Sequence, residues 1–152
     1  SSAASDVYKR QTHDKKVIVE EFIKGRELEC AVLGTDNPFA SEVGEILSCN
    51  DFYDYDAKYI LGTSGLNIPA NIPKEASLEI RETAVKAFKA LGCFGLSRVD
   101  FFLADNGKVY LNELNTMPGF TSISMYPKLM ENLGIPYGEL LDRLIKLAYE
   151  RN

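Results

Sequence analysis

The chain has 152 residues, with 17 Lys and Arg against 22 Asp and Glu, a formal net charge of −5 and 45% hydrophobic residues, enough for one core of ordinary domain size. With 11 Gly and 6 Pro it is neither collagen-like nor low-complexity nor disordered, and the acidic balance without a basic stripe excludes nucleic-acid binding by broad phosphate neutralisation. No apolar stretch approaches the roughly 18 to 20 residues that span a bilayer and no secretory signal stands at the N-terminus, so no membrane partner and a cytosolic address are expected.

Residues 1–14 read as a non-native or disordered leader, because Ser1 to Gln11 are small and polar without periodicity; residues 15–152 read as one domain. From Val17 to Ile23 and from Glu27 to Leu33, apolar and β-branched residues alternate with charged ones around Lys24-Gly25, which predicts a hairpin. Ser41 to Leu47 predicts a third strand. Asn50 to Ala70 carries Phe52, Tyr53, Tyr55, Lys58 and Tyr59 among small polar residues, which predicts a long surface loop. After Pro73, the residues Ile80, Ala84, Ala87, Phe88 and Leu91 share a helical face, and Gly92 supplies the stop. Gly95 to Leu103 and Lys108 to Leu114 predict strands joined by Asp105-Asn106-Gly107. Two helices follow, about Ser124 to Leu133 and Tyr137 to Arg151, the last with Leu140, Leu141, Leu144, Ile145 and Ala148 as its inner stripe. Strand runs followed by helices, without regular β-α alternation, predict an α+β fold with a mainly antiparallel sheet and packed helices.

Cys30, Cys49 and Cys93 are an odd number without a C-x-x-C pair, so they suggest neither disulfides nor a zinc site and read as small buried hydrophobes. His13 is the only histidine and lies in the polar leader, which leaves carboxylates, Lys and Arg to carry any chemistry. Strand alternation puts Arg98 and Asp100 on one face and lets Glu113 and Asn115 of the return strand point the same way. Closure at Asn106-Gly107 makes the two strands neighbours, and an Asp, a Glu and an Asn there are hard oxygen donors of the kind Mg²⁺ or Mn²⁺ takes. The same alternation also fits a solvated outer face. Pro118-Gly119 then forces a turn, and Thr121, Ser122 and Ser124 with bare backbone N–H groups lead into a helix N-terminus, an anion-binding surface.

The string Asn112-Glu113-Leu114-Asn115-Thr116-Met117-Pro118-Gly119-Phe120-Thr121, preceded by Gly95-Leu96-Ser97-Arg98-Val99-Asp100, resembles the C-terminal part of D-alanine–D-alanine ligases, ATP-grasp enzymes of peptidoglycan synthesis. The likeness runs from about Val17 to the last helix and includes Val19-Glu20-Glu21-Phe22-Ile23 and Tyr53-Asp54-Tyr55-Asp56-Ala57-Lys58-Tyr59. It implies a C-terminal ATP-grasp domain that joins two D-alanine molecules at the expense of ATP, through an acyl phosphate. It also implies a homodimer for the full-length enzyme.

Residue by residue, the resemblance implies that Glu20 and the Ile23 backbone read adenine, Phe22 packs on the base and Glu27 binds the ribose. Asp100, Glu113 and Asn115 would hold two Mg²⁺ ions, with Glu113 bridging. Lys58 would contact the phosphates. Arg98 and the Gly119 N–H would stabilise developing negative charge, Ser124 with the Met125 backbone would hold the second substrate's carboxylate, and Tyr59 points to an amine rather than a hydroxyl acceptor. From pattern alone, Glu20 and Glu27 also fit a solvated strand face, Lys58 a solvated loop lysine and Ser124 a helix N-cap. Two other functions stay open: another ATP-grasp carboxylate-amine ligase, or a non-catalytic Mg-nucleotide-binding fragment. Because the resemblance places the first-substrate domain and the phosphate-covering loop before this region, the chain alone is expected to be inactive.

Overall fold

Residues 9–47 and 65–151 are described by a computed structural model of the chain. The elements run β1 (Gly25–Gly34), β2 (Phe39–Leu47), β3 (Gly65–Asn67), α1 (Lys74–Ala90), β4 (Gly95–Ala104), β5 (Val109–Asn115), α2 (Met125–Asn132) and α3 (Tyr137–Glu150). The strands form one antiparallel sheet in the order β3-β2-β1-β4-β5. The α+β fold read from the pattern is the one observed.

Period-two alternation sends the strand residues to two different layers. Leu28, Cys30 and Val32 of β1 and Val99, Phe101 and Leu103 of β4 pack on α1, which offers Ala76, Ile80, Ala84 and Phe88 at one-turn spacing. Full burial of side chains such as Ile80 and Phe88 is worth roughly 1.5 to 3 kcal/mol each, and this layer is the main core. α1 ends in a Schellman turn: Gly92 takes φ +62, its N–H donates to the Lys89 carbonyl, and the Cys93 N–H donates to the Phe88 carbonyl. On the other face, Ala31, Leu33 and Leu96 lie under α2 and α3, where the buried Tyr126 hydroxyl donates to the Val32 carbonyl at 3.0 Å.

Two irregularities tune the strands. Between β1 and β2 the register slips after Cys30, and the buried Ser41 hydroxyl accepts from the Ala31 N–H at 2.9 Å. Between β4 and β5, Asp100 pairs with Glu113 but Phe101 pairs with Leu111, so Asn112 is a bulge. The extra residue lets Leu111 and Leu114, three apart, both follow the α1 side while Glu113 stays on the opposite face.

Four expectations are corrected. Among the described residues Val17 to Ile23 forms no strand, and β2 and β4 occupy both edges of β1, so it does not pair with β1 as a hairpin; its Ile18, Val19 and Phe22 are 84%, 77% and 88% exposed. The predicted loop contains the short β3, which pairs with β2. Leu91 is exposed at the C-cap of α1 rather than on its inner face. α3 turns Leu140, Leu144 and Leu147 inward, while Leu141, Ile145 and Ala148 face out. Cys30 is buried and its thiol is pushed up to about 12 by desolvation, Cys93 is half-buried, and Cys49 lies outside the described residues. Among the described residues no helix is long and apolar enough to cross a membrane.

Candidate metal and nucleotide site

α2 and α3 cover only part of their face of the sheet. Beyond Ala31 and Leu96, the same face of β1, β4 and β5 carries charge. The register sets Glu29 opposite Asp100, and Asp100 opposite Glu113, so three carboxylates form a row across three strands. In the adjacent row Arg98 lies between Ala31 and Asn115. The hairpin turn that brings β4 and β5 together is closed by the Gly107 N–H on the Ala104 carbonyl at 2.8 Å, with Gly107 at φ +83.

Side-chain hydrogen bonds knit this patch. The Arg98 guanidinium grips Asp100 with two nitrogens, Nε to Oδ1 and Nη2 to Oδ2, both at 2.7 Å. Its Nε also lies 3.1 Å from Glu29 Oε2. The Asn115 amide donates to Asp100 Oδ2 and to Glu113 Oε1, each at 3.1 Å. Burial raises the Asp100 carboxyl above its ordinary range and the Glu113 charge raises it further, although Arg98 pulls the other way. Burial works against the Arg98 charge, yet its pairs with Asp100 and Glu29 outweigh this and hold the guanidinium above its ordinary value.

A groove of about 230 Å³ joins these groups to Glu27, which projects from β1 beside Phe102, and is lined also by Glu29, Ile46 and Asn112. Among the described residues, no three His, Cys, Asp or Glu side chains close into a ready-made cage. The oxygen donors on the open side of Arg98 are the Asp100 and Glu113 carboxylates, without a thiolate or imidazole; Asn115 meets both through its amide nitrogen, so its oxygen joins them as a ligand only when that amide turns over. Three carboxylates against one guanidinium leave the patch net negative, and this fits a hard divalent cation.

Past β5 the chain turns through Pro118 and Gly119 to Ser124, the N-cap position of α2. The Ser124 hydroxyl does not cap the helix. It accepts from the Thr121 N–H at 2.9 Å and shares a hydrogen bond with Thr121 Oγ1 at 2.9 Å. The loop is drawn so close that a Cβ at Gly119 would sit 3.0 Å from Ser124 Oγ. α2 has no acidic residue in its first turn, so its N-terminal end is without a built-in counter-charge.

Of the residues singled out from sequence, the structure brings Arg98, Asp100, Glu113, Asn115 and Glu27 to one face. Gly119 and Ser124 meet each other on the turn. Glu20, Phe22 and Ile23 lie on the segment before β1, which pairs with no strand among the described residues, with Glu20 and Phe22 exposed and Ile23 half-buried. Lys58 and Tyr59 lie outside the described residues. Glu29 was missed. Its signal was present, since period two places it on the face of Glu27, but only the β1–β4 register shows that it meets Arg98.

The family described as D-ala D-ala ligase C-terminus matches residues 3–146. The chain belongs to this family. It is 64% identical over 140 residues to the D-alanine–D-alanine ligase of Acetivibrio thermocellus, covering 91% of the chain and 37% of the relative, and 62% identical over 142 residues to that of Ruminiclostridium cellulolyticum, covering 91% and 38%. The chain thus spans little more than a third of these D-alanine–D-alanine ligases. Among solved structures it is similar to the Bacillus anthracis D-alanine–D-alanine ligase complexed with ATP, at TM-score 0.79 and 26% identity over 98% of the chain and 46% of that protein. It is also similar to VanG D-Ala:D-Ser ligase from Enterococcus faecalis, at TM-score 0.73 and 48% identity over 84% of the chain and 37% of that protein. The α+β arrangement is therefore that of a C-terminal ATP-grasp domain.

Proposed function

We propose that this chain supplies the nucleotide- and metal-binding part of a cytosolic, homodimeric ligase that joins two D-alanine molecules while ATP is converted to ADP and phosphate, for peptidoglycan precursors. The observation that carries the reading is the net-negative oxygen-donor patch of Asp100, Glu113 and Asn115 beside Arg98, in one groove with Glu27. Two Mg²⁺ ions, with Mn²⁺ as a substitute, would be held by Asp100, Glu113 and Asn115, and when bound they neutralise the triphosphate. Glu27 accepts from the ribose hydroxyls, Glu20 and the Ile23 backbone read the adenine amino group, Phe22 covers the base, and Lys58 adds a positive charge at the phosphates.

In the reaction, the carboxylate of one D-alanine takes the γ-phosphoryl group and ADP leaves. The amine of the second attacks the acyl carbon, and phosphate departs with the carbon–oxygen electron pair. Arg98 and the Gly119 N–H stabilise the oxyanion of that second step, while Ser124 and the α2 N-terminus hold the acceptor carboxylate. Tyr59 joins the network that favours an amine acceptor. The test is ADP release by the full-length protein with D-alanine, D-serine or D-lactate, with products identified by mass spectrometry. D-alanine-dependent release yielding D-alanyl-D-alanine is expected; preference for D-lactate, or ADP release that no D-amino acid stimulates, would overturn the proposal.

A further inference from the structure

Arg98 has two carboxylate partners, and only one of them faces the proposed metals. Asp100 lies between Arg98 and Glu113 and is shared with the Asn115 amide. Glu29 lies on the other side, on β1, 4% exposed, with Oε2 at 3.1 Å from Arg98 Nε. Adjacent strands are about 4.7 to 4.9 Å apart, so β1 and β5 are separated by roughly 9 to 10 Å. β4 lies between them, so Glu29 and Glu113 flank Asp100 from opposite sides, and an ion held between Asp100 and Glu113 would lie on the side of Asp100 away from Glu29.

Two buried or half-buried carboxylates directly across a strand pair repel unless a cation lies between them. Arg98 is that cation, and Ala31, directly opposite Arg98 on β1, presents only a methyl group beside it. The pairing with Asp100 weakens whenever that carboxylate turns its charge toward a metal ion. The pairing with Glu29 does not. We infer that Glu29 is a positioning residue that keeps the Arg98 guanidinium aimed while Asp100 is engaged by metal, so that the charge stabiliser stays in place at every stage of metal loading. The inference rests on the ligase reading for its catalytic consequence and on geometry alone for the pinning of Arg98.

The Arg98 Nε–H donates to Asp100 in the metal-free chain, so its solvent exchange, followed by ¹H–¹⁵N spectra of the 152-residue chain with and without Mg²⁺, reads whether Glu29 keeps the guanidinium in place when Asp100 is engaged. The wild-type proton should be protected roughly tenfold or more over that of exposed Arg10, and should stay so at saturating Mg²⁺. In Glu29→Gln the protection should fall on adding Mg²⁺, and Glu29→Asp should retain part of it. Equal protection in wild type and Glu29→Gln with Mg²⁺ present would overturn the inference. In the full-length enzyme Glu29→Gln should lower kcat roughly 10²-fold while KM for ATP stays within about threefold, the pattern of a displaced catalytic group. Adding Glu29→Gln to Arg98→Lys should cost nothing further; additive losses would contradict the assignment. Exchange needs no turnover, so a full-length protein without ligase activity would sink the ligase reading and leave the pinning to be judged on the exchange result.

Discussion

Arg26 grips both oxygens of Glu45 at 2.6 Å, and Arg98 grips both oxygens of Asp100 at 2.7 Å. The first fork lies on the α1 side of the sheet and the second on the open side. Their surroundings set them apart. Arg26 is completed by the Asn71 carbonyl at 2.9 Å, and hydrogen bonding to Arg26 holds the Glu45 carboxyl below its ordinary value in spite of burial. Asp100 goes the other way, because burial and the nearby Glu113 outweigh what Arg98 gives. One arginine facing one carboxylate makes a structural clasp; one arginine facing three carboxylates makes a site that asks for more positive charge.

The comparison can be broken most forcefully at Glu113. In the full-length enzyme, Glu113→Gln should reduce ligation by roughly 10³-fold or more with unfolding unchanged, because it deletes a charge from an exposed group rather than a packing contact. Near-normal turnover would show that the open-side cluster is not the metal site. Glu45→Gln tests the clasp, and should lower stability to urea by about 1 to 2 kcal/mol at neutral pH. The folded-state carboxyl of Glu45 is depressed, so its contribution is fully present above the ordinary value of 4.5 and disappears as pH falls through the folded value. The wild-type and variant unfolding curves should therefore converge in acid.

A smaller effect of opposite sign is expected at Asp100. Its carboxyl is raised above the ordinary 3.8, so the favourable contribution belongs to low pH and is lost as pH rises through the folded value. Without metal, Asp100→Asn should leave stability at neutral pH unchanged or raise it by about 0.5 to 1 kcal/mol, as at other sites where function opposes stability. A loss of more than that amount would place Asp100 with Glu45 as a structural partner.

Local signals made much of this legible. Asn106-Gly107, the four-residue spacing of Ile80, Ala84 and Phe88, and Gly92 mark a hairpin and a capped helix from short-range chemistry, and the pattern set Asp100 and Glu113 on one face. What the pattern hid is non-local. Val17 to Ile23 alternates like a strand, yet β1 has no free edge to receive it. α3 carries apolar residues over more than one face, so periodicity named Leu141, Ile145 and Ala148 as inward when Leu140, Leu144 and Leu147 are. The Asn112 bulge reconciles Leu111 and Leu114 with Glu113, and no spacing rule foretells a bulge. Glu29 reads as an ordinary strand carboxylate until β4 is laid beside it.

The central claim is that the open side of the β4–β5 hairpin binds a divalent cation, and paramagnetic broadening of backbone amides by Mn²⁺ tests it most directly. Substoichiometric Mn²⁺ should broaden first the amides around Asp100, Glu113 and Asn115, excess Mg²⁺ should restore them, and Glu113→Gln should abolish the effect. Broadening centred on other carboxylates such as Asp36 or Asp142, or spread evenly over the acidic surface and indifferent to Glu113→Gln, would contradict it.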